Sequence, residues 1–182
     1  MRSVLFSALA VSSVAVAAEG DRWYVTPEIG GISPDYRRSL VDQDWLFGLA
    51  AGRELGPVLN LELNVDGTRL NRRAGNGHLY QYDASVDALG VLNRAGVVSP
   101  YLIVGAGVLR NEFSGGPQQT HFAPEAGLGL FLNLWQSADQ TSGFALRPQV
   151  KARWDDPGRD GHLVDYIATL GFQFSFGGSP VA

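Results

Sequence analysis

Between residues 144 and 154 the chain alternates without a break. Phe144, Leu146, Pro148, Val150, Ala152 and Trp154 fall on one parity, and Ala145, Arg147, Gln149, Lys151 and Arg153 on the other. A period of two is the signature of a β-strand, here with one apolar and one strongly polar face. Residues 58–66 repeat the pattern, placing Leu59, Leu61, Leu63 and Val65 opposite Asn60, Glu62, Asn64 and Asp66. Weaker alternation marks 23–31, 45–54, 80–93, 101–113, 122–135 and 163–176. The pattern predicts eight strands.

The segments between them alternate in length. Residues 56–57, 94–100 and 136–143 form a short set; 32–44, 70–79, 114–121 and 155–162 form a longer, polar, glycine-containing set. An up-and-down meander across a bilayer has this form, with tight turns on one side and longer loops on the other. With both ends of the chain on the periplasmic side, the longer set falls outside. Pro27, Pro124 and Pro148 lie within predicted strands, where a missing ladder donor is a strain. They are expected near rims or at bulges.

Composition changes the picture at the first twenty residues. Met1-Arg2 leads into an apolar stretch from Val4 to Val16, followed by Ala17-Ala18 and then Glu19-Gly20. That order reads as a signal peptide over 1–18, cut after Ala17 or Ala18, with a barrel domain over 19–182. After Glu19 no run of eighteen apolar residues appears, which excludes spanning helices. The chain has no cysteine, so disulfides and lipid attachment at a junction cysteine are excluded. A net charge of −4 with scattered signs offers no basic stripe, so nucleic acid is not an expected partner.

Alternation alone does not tell inside from outside. A soluble barrel or sandwich turns its apolar face inward, and a membrane barrel turns it outward. Three features favour the second. Trp23, Trp135, Phe144, Phe174 and Phe176 lie near predicted strand ends on the periplasmic side, and Trp45, Tyr80, Tyr82, Phe122, Trp154 and Tyr166 near the other ends, as in two interfacial girdles. The polar face interleaves Gly48, Gly105, Gly107, Gly127, Gly129 and Gly171 with large charged residues, as a narrow lumen requires. The chain also runs through Leu170, Phe172, Phe174 and Phe176, an alternating aromatic strand of the kind read by the bacterial barrel-assembly machinery.

Trp23-Tyr24-Val25, Leu61-Glu62-Leu63, Pro100-Tyr101-Leu102-Ile103-Val104-Gly105-Ala106-Gly107 and Leu170 to Gly177 resemble strands of the outer-membrane protein A (OmpA) family, over roughly 22–178. The resemblance implies an all-β fold, an eight-stranded antiparallel up-and-down transmembrane β-barrel in the bacterial outer membrane. It implies lipids and lipopolysaccharide as surroundings and the assembly machinery as a partner during biogenesis. Many members continue through a proline-rich linker into a peptidoglycan-binding domain, so peptidoglycan is a partner only if such a domain follows Gly178-Ser179-Pro180-Val181-Ala182.

The candidate site is the lumen, where charges must be paired or solvated. Glu28, Glu62 and Glu125 supply acids, and Arg147, Lys151 and Arg153 supply cations from one strand. Such a network plugs the barrel; if its pairs exchange partners, it gates slow passage of water, ions or small solutes. His78, His121 and His162 precede strand rims, with Asp155, Asp156 and Asp160 near the last, but loop histidines are usually solvated and no metal or other cofactor is expected. No His-x-Ser unit occurs, and the Gly105-x-Gly107 and Gly127-x-Gly129 pairs are followed by no helix pattern. The expected function is non-enzymatic: a structural barrel supporting envelope integrity, with weak pore activity. The alternatives are a barrel that binds or modifies lipid or a surface ligand, and a soluble periplasmic ligand carrier.

Overall fold

A computed structural model describes residues 21–38, 44–71, 77–114, 116, 118–155 and 163–178. The expected signal peptide, His162, Asp156 and Asp160 lie outside the described residues.

The alternation resolves into eight strands: β1 (Trp23–Ser33), β2 (Asp44–Glu54), β3 (Leu59–Asn71), β4 (His78–Val91), β5 (Val98–Phe113), β6 (Gln118–Gln136), β7 (Gly143–Asp155) and β8 (Leu163–Phe176). Each pairs antiparallel with the next, and β8 returns to β1 from Trp23↔Phe176 to Ser33↔Tyr166, so the sheet closes as an eight-stranded barrel without a free edge. All eight strands are at least as long as the 9–11 residues a tilted strand needs to cross a bilayer.

The two faces are sorted opposite to those of a soluble protein. Leu61, Leu63, Val65, Leu102, Val104, Leu128 and Val150 are exposed on the outer wall, while Glu28, Glu62, Asp87, Glu125, Arg147, Lys151 and Arg153 are buried inside. Charged groups inside and aliphatic groups outside rule out the soluble-barrel and sandwich alternatives, because water would face the apolar surface and the core would be ionic. Trp23, Trp135, Phe174 and Phe176 are exposed outside the end that holds the chain termini, and Trp45, Tyr82, Phe122 and Tyr166 outside the far end. Phe144 is half-buried, its ring 5.1 Å from that of Phe174.

The lumen is not polar throughout. Ile32, Leu46, Leu70, Leu79 and Ile167 form an apolar cluster inside the far end, and Leu89, Val91, Tyr101, Ile103 and Phe131 form another toward the termini end. The ionic layer lies between them.

Two expectations are corrected. The prolines sit within strands rather than at rims or bulges. Pro27 keeps its place opposite Leu49 of β2, while the β1–β8 ladder is interrupted between Val25↔Phe174 and Glu28↔Gly171. Pro148 keeps its place opposite Leu170 of β8, and the β6–β7 ladder breaks between Gly129↔Gln149 and Leu132↔Leu146. Pro124 stands opposite Ala106, just past the last β6–β7 pair, Glu125↔Arg153. A strand residue points its N–H to one side only, so a proline interrupts one ladder and spares the other. The irregularity in β6 lies elsewhere, between Asn133 and Trp135. Second, 114–121 is not a long loop. β5 and β6 stay paired as far as Glu112↔Gln118, leaving only 114–117 between them, no longer than the turns at the opposite end.

Candidate functional site

Parity sets which side chains enter the lumen, and register sets which of them meet. β3 and β7 stand opposite each other in a ring of eight, so contacts between them span the lumen. Arg147 on β7 reaches Glu62 on β3 with both terminal nitrogens, Nη1 to Oε2 at 2.7 Å and Nη2 to Oε1 at 2.6 Å. This bidentate geometry is the strongest form of the pair. The guanidinium is fully buried; its Nε donates to Tyr101 Oη at 3.0 Å, and its plane lies over the Tyr101 and Phe131 rings at 5.3 and 5.6 Å. Tyr24 Oη donates to the same Glu62 at 3.0 Å.

A second layer lies nearer the far end. Glu125 on β6 accepts from Lys151 Nζ at 2.8 Å, from Ser85 Oγ at 3.1 Å and from Arg153 Nε at 3.3 Å. Arg153 also crosses to β3, pairing with Asp66, and approaches Asp83 at 3.3 Å. Of the six candidate residues, five therefore share ion pairs. Glu28 meets no cation directly; Gln149 Nε2 donates to it at 3.0 and 3.2 Å and Thr169 Oγ1 at 3.2 Å. Glycines make the room. A side chain at Gly105 would run into the Asp87 carboxylate, and one at Gly129 into the Tyr101 ring.

Each end of the lumen carries its own lock. At the termini end Glu54 takes Arg22 at 3.0 and 3.1 Å and Arg94 at 3.3 Å, beside a cavity of about 270 Å³ lined in part by Ser99, Asn133 and Gln173. At the far end Arg38, on a short 3-10 turn (Tyr36–Arg38), inserts between Asp155 at 2.7 Å and Asp165 at 3.0 Å. His121 Nδ1 lies 2.6 Å from the other oxygen of Asp155. Just beyond the end of β1, Arg37 and the backbone N–H groups of Arg37 and Val164 converge on Asp35 and hold its carboxyl well below the usual carboxylate range, the Arg37 side-chain bond contributing most.

Sequence reasoning did not assemble Asp66, Asp83 and Asp87, the tyrosines, Gln149 or the two end locks. Parity would have found the aspartates, because all three share the polar face of their strands. The end locks carry no such signal, since Arg22, Arg38 and Arg94 lie outside the strands. His78 bonds Asn71 and Arg69 at the rim and is far in sequence from His121's partner Asp155. Among the described residues no group of three or more His, Asp or Glu converges as metal ligands do.

A closed eight-stranded barrel with an aliphatic exterior, aromatic residues at both ends and an ion-paired interior defines a transmembrane β-barrel. Residues 4–176 match the outer membrane protein beta-barrel domain family, and the chain belongs to it. Its fold is similar to that of Neisserial surface protein A (14% identity, TM-score 0.67, covering 85% of this chain and 97% of that one). It is also similar to the N-terminal β-barrel domain of Pseudomonas aeruginosa OprF (19%, 0.56, 87% and 100%) and to Ail, the attachment invasion locus protein of Yersinia pestis (18%, 0.54, 86% and 99%). At these identities the likeness is one of fold. No curated protein is similar enough in sequence to match the chain.

Proposed function

We propose that the chain is a non-catalytic structural barrel of the bacterial outer membrane that supports envelope integrity, with a lumen held shut by cross-lumen ion pairs whose rearrangement admits water, ions and small solutes slowly. The observation that carries this reading is the Arg147–Glu62 pair, which ties β7 to β3 across the full width of the lumen through two bonds of 2.6 and 2.7 Å. An eight-stranded interior is about filled by its own side chains, so such struts leave no continuous open path while they hold. Gating follows from the alternatives at hand: Glu62 has Tyr24 and Arg147 has Gln149 and Tyr101 as second partners.

Export fits the Met1 to Ala18 segment, removed as a signal peptide. Lipid and lipopolysaccharide suit the aliphatic outer band, and the outward Phe172, Phe174 and Phe176 of β8 suit docking on the assembly machinery. The test is planar-bilayer conductance of protein whose folding is verified by its heat-dependent gel mobility. Wild type gives rare, small openings and Glu62→Ala raises their frequency. Silence of both folded proteins removes the gate. Leakage of periplasmic enzymes from cells lacking the protein, reversed by wild type and by Glu62→Ala alike, tests the structural role separately.

A further inference from the structure

Among the described residues, the buried side-chain atoms that find no hydrogen-bond partner in the chain are Nδ2 of Asn60, both amide atoms of Asn64, Oε1 of Gln81, and both carboxylate oxygens of Asp83 and of Asp87. Every one belongs to β3 or β4. The register sets these residues side by side on the inner face. Asp66 stands opposite Asp83, Asn64 opposite Ser85 and Glu62 opposite Asp87, so two of three successive rungs put acid beside acid. Like charges directly opposite repel, and an unpaired buried carboxylate is costlier still.

The cations nearby do not balance this wall. Glu28, Glu62, Asp66, Asp83, Asp87 and Glu125 are buried carboxylates, six in all, against three buried cations in the same layer, Arg147, Lys151 and Arg153. Those three are already committed: Arg147 to Glu62, Lys151 to Glu125, and Arg153 to Asp66 and Glu125, with Asp83 as a third ion-pair partner of Arg153 at 3.3 Å. Asn64 is the independent sign that something else belongs here. It is 1% exposed, lies between the two acidic rungs, and leaves both its donor and its acceptor unused, so it is not there to satisfy either neighbour. Asp87 is seated by the shape of the wall, its carboxylate lying over Gly105 of β5 in space that any other residue would fill.

We infer that the β3–β4 wall of the lumen binds small monovalent cations, with one station at Asp83 and one at Asp87 and the Asn64 amide between them. The charge state follows from spacing. Asp83 and Asp87 are four residues apart on one strand, about 13 Å, so one ion cannot take both. The second acid at each rung, Asp66 or Glu62, is held by Arg153 or Arg147. Each station therefore offers one carboxylate short of cationic partners, Asp83 sharing Arg153 with two other acids and Asp87 standing beside Glu125, supplemented by amide, hydroxyl and water oxygens. That suits a partly hydrated ion of charge +1, whereas calcium takes six to eight oxygens, several of them anionic. The site stands whether or not the lumen conducts.

The experiment uses the full chain folded in detergent micelles, with total ionic strength held constant by exchanging choline chloride for NaCl or KCl. A ligand bound only by the folded state raises the unfolding midpoint with the logarithm of its concentration, by about 5–10 °C at a hundred-fold excess over its dissociation constant. The rise is expected with Na⁺ and K⁺, reduced in Asp83→Asn and in Asp87→Asn, absent in the double variant, and intact in Asp139→Asn, which alters an acid outside the lumen. ²³Na line broadening by wild type, reversed by K⁺, reads the same site without any variant. The inference is overturned by a midpoint indifferent to the cation, by a slope that survives the double substitution, by Mg²⁺ or Ca²⁺ acting at far lower concentration than Na⁺, or by stabilisation on acidification in choline with no ²³Na broadening, which would assign the neutralising charge to protons.

Discussion

Two walls of the same lumen, β7 and β3–β4, solve the problem of buried charge differently. Along β7, Arg147, Lys151 and Arg153 each meet one or more carboxylates, and Gln149 fills the remaining position by bonding Glu28, Tyr101 and Arg147. Along β3 and β4 the acids outnumber their partners: Asp83 shares Arg153 with two other acids, Asp87 meets no cation among the described residues, and the Asn64 amide is left over. A long cation with three to five donors can serve several acceptors from across the ring, while a short aspartate reaches only what stands beside it. Cohesion is therefore concentrated on one strand and unfulfilled capacity on the facing pair.

The largest effect expected from breaking this asymmetry is at Arg147. Arg147→Met leaves Glu62 buried with only Tyr24 as donor, and is expected to cost about 3–5 kcal/mol, the usual penalty for orphaning a buried charge. Adding Glu62→Leu removes the orphan, and most of the stability should return. Urea unfolding of the vesicle-inserted protein, followed by tryptophan fluorescence, measures both. A double variant no better than the single one would mean that Arg147 contributes through its packing on Tyr101 and Phe131 rather than through its charge.

Lys151→Met should cost less, about 1–2 kcal/mol, because Glu125 keeps Ser85 at 3.1 Å and Arg153 at 3.3 Å. The same unfolding assay checks the ranking, and a loss equal to that of Arg147→Met would show that Arg153 cannot serve three acids at once. On the opposite wall the sign should change. Asp87→Asn removes a buried acid that no cation holds, and unfolding in choline chloride should show a change within about 1 kcal/mol, toward greater stability.

How much of this contrast was legible in the chain depends on local contrast. β3 and β7 alternate cleanly, so strand, face and inward residues could all be read, including Glu62, Arg147, Lys151 and Arg153. β5 could be read as a strand but not by face, because its inward Tyr101, Ile103 and Leu109 are as apolar as its outward Leu102, Val104 and Val108. Asp83 and Asp87 have the parity of inward residues, between outward Tyr82, Ala84, Val86 and Ala88. Partnership was not legible, because it depends on which strands face each other across the ring. Glu28 and the β7 cations look complementary in sequence, yet register gives Glu28 to Gln149. Arg38 and its acids are invisible for a different reason: a loop residue has no parity to read.

The far-end lock tests whether a loop contact matters as much as a strand one. Arg38→Ala removes the bonds to Asp155 and Asp165 but leaves Asp155 with His121 and Asn111, so the expected loss is about 1–2 kcal/mol. Faster exchange of the Asp35 amide, which donates to Asp165 at 2.9 Å, should accompany it. An unchanged exchange rate would place the hold on this loop at Asp35 instead.

The smallest effect separates those two anchors by pH. Arg37 first, and then the Val164 and Arg37 amides, stabilise the charged form of Asp35, so its folded carboxyl titrates below its unfolded value of about 3.9. A carboxyl depressed on folding adds stability that is complete above the unfolded value and is lost as the pH falls through the lowered folded one. Between pH 5 and 8 the anchor should therefore be constant. Below about pH 4 the amide proton resonances of Arg37 and Val164 should begin to move together as their acceptor is protonated, with a common midpoint under the ordinary carboxylate range. Asp35→Asn should abolish that shared titration while Arg38 keeps its hold on Asp155. A midpoint at or above the ordinary value would mean that Arg37 is not held against Asp35 in solution, and would leave Arg38 as the link that fastens this loop over the acidic mouth of the barrel.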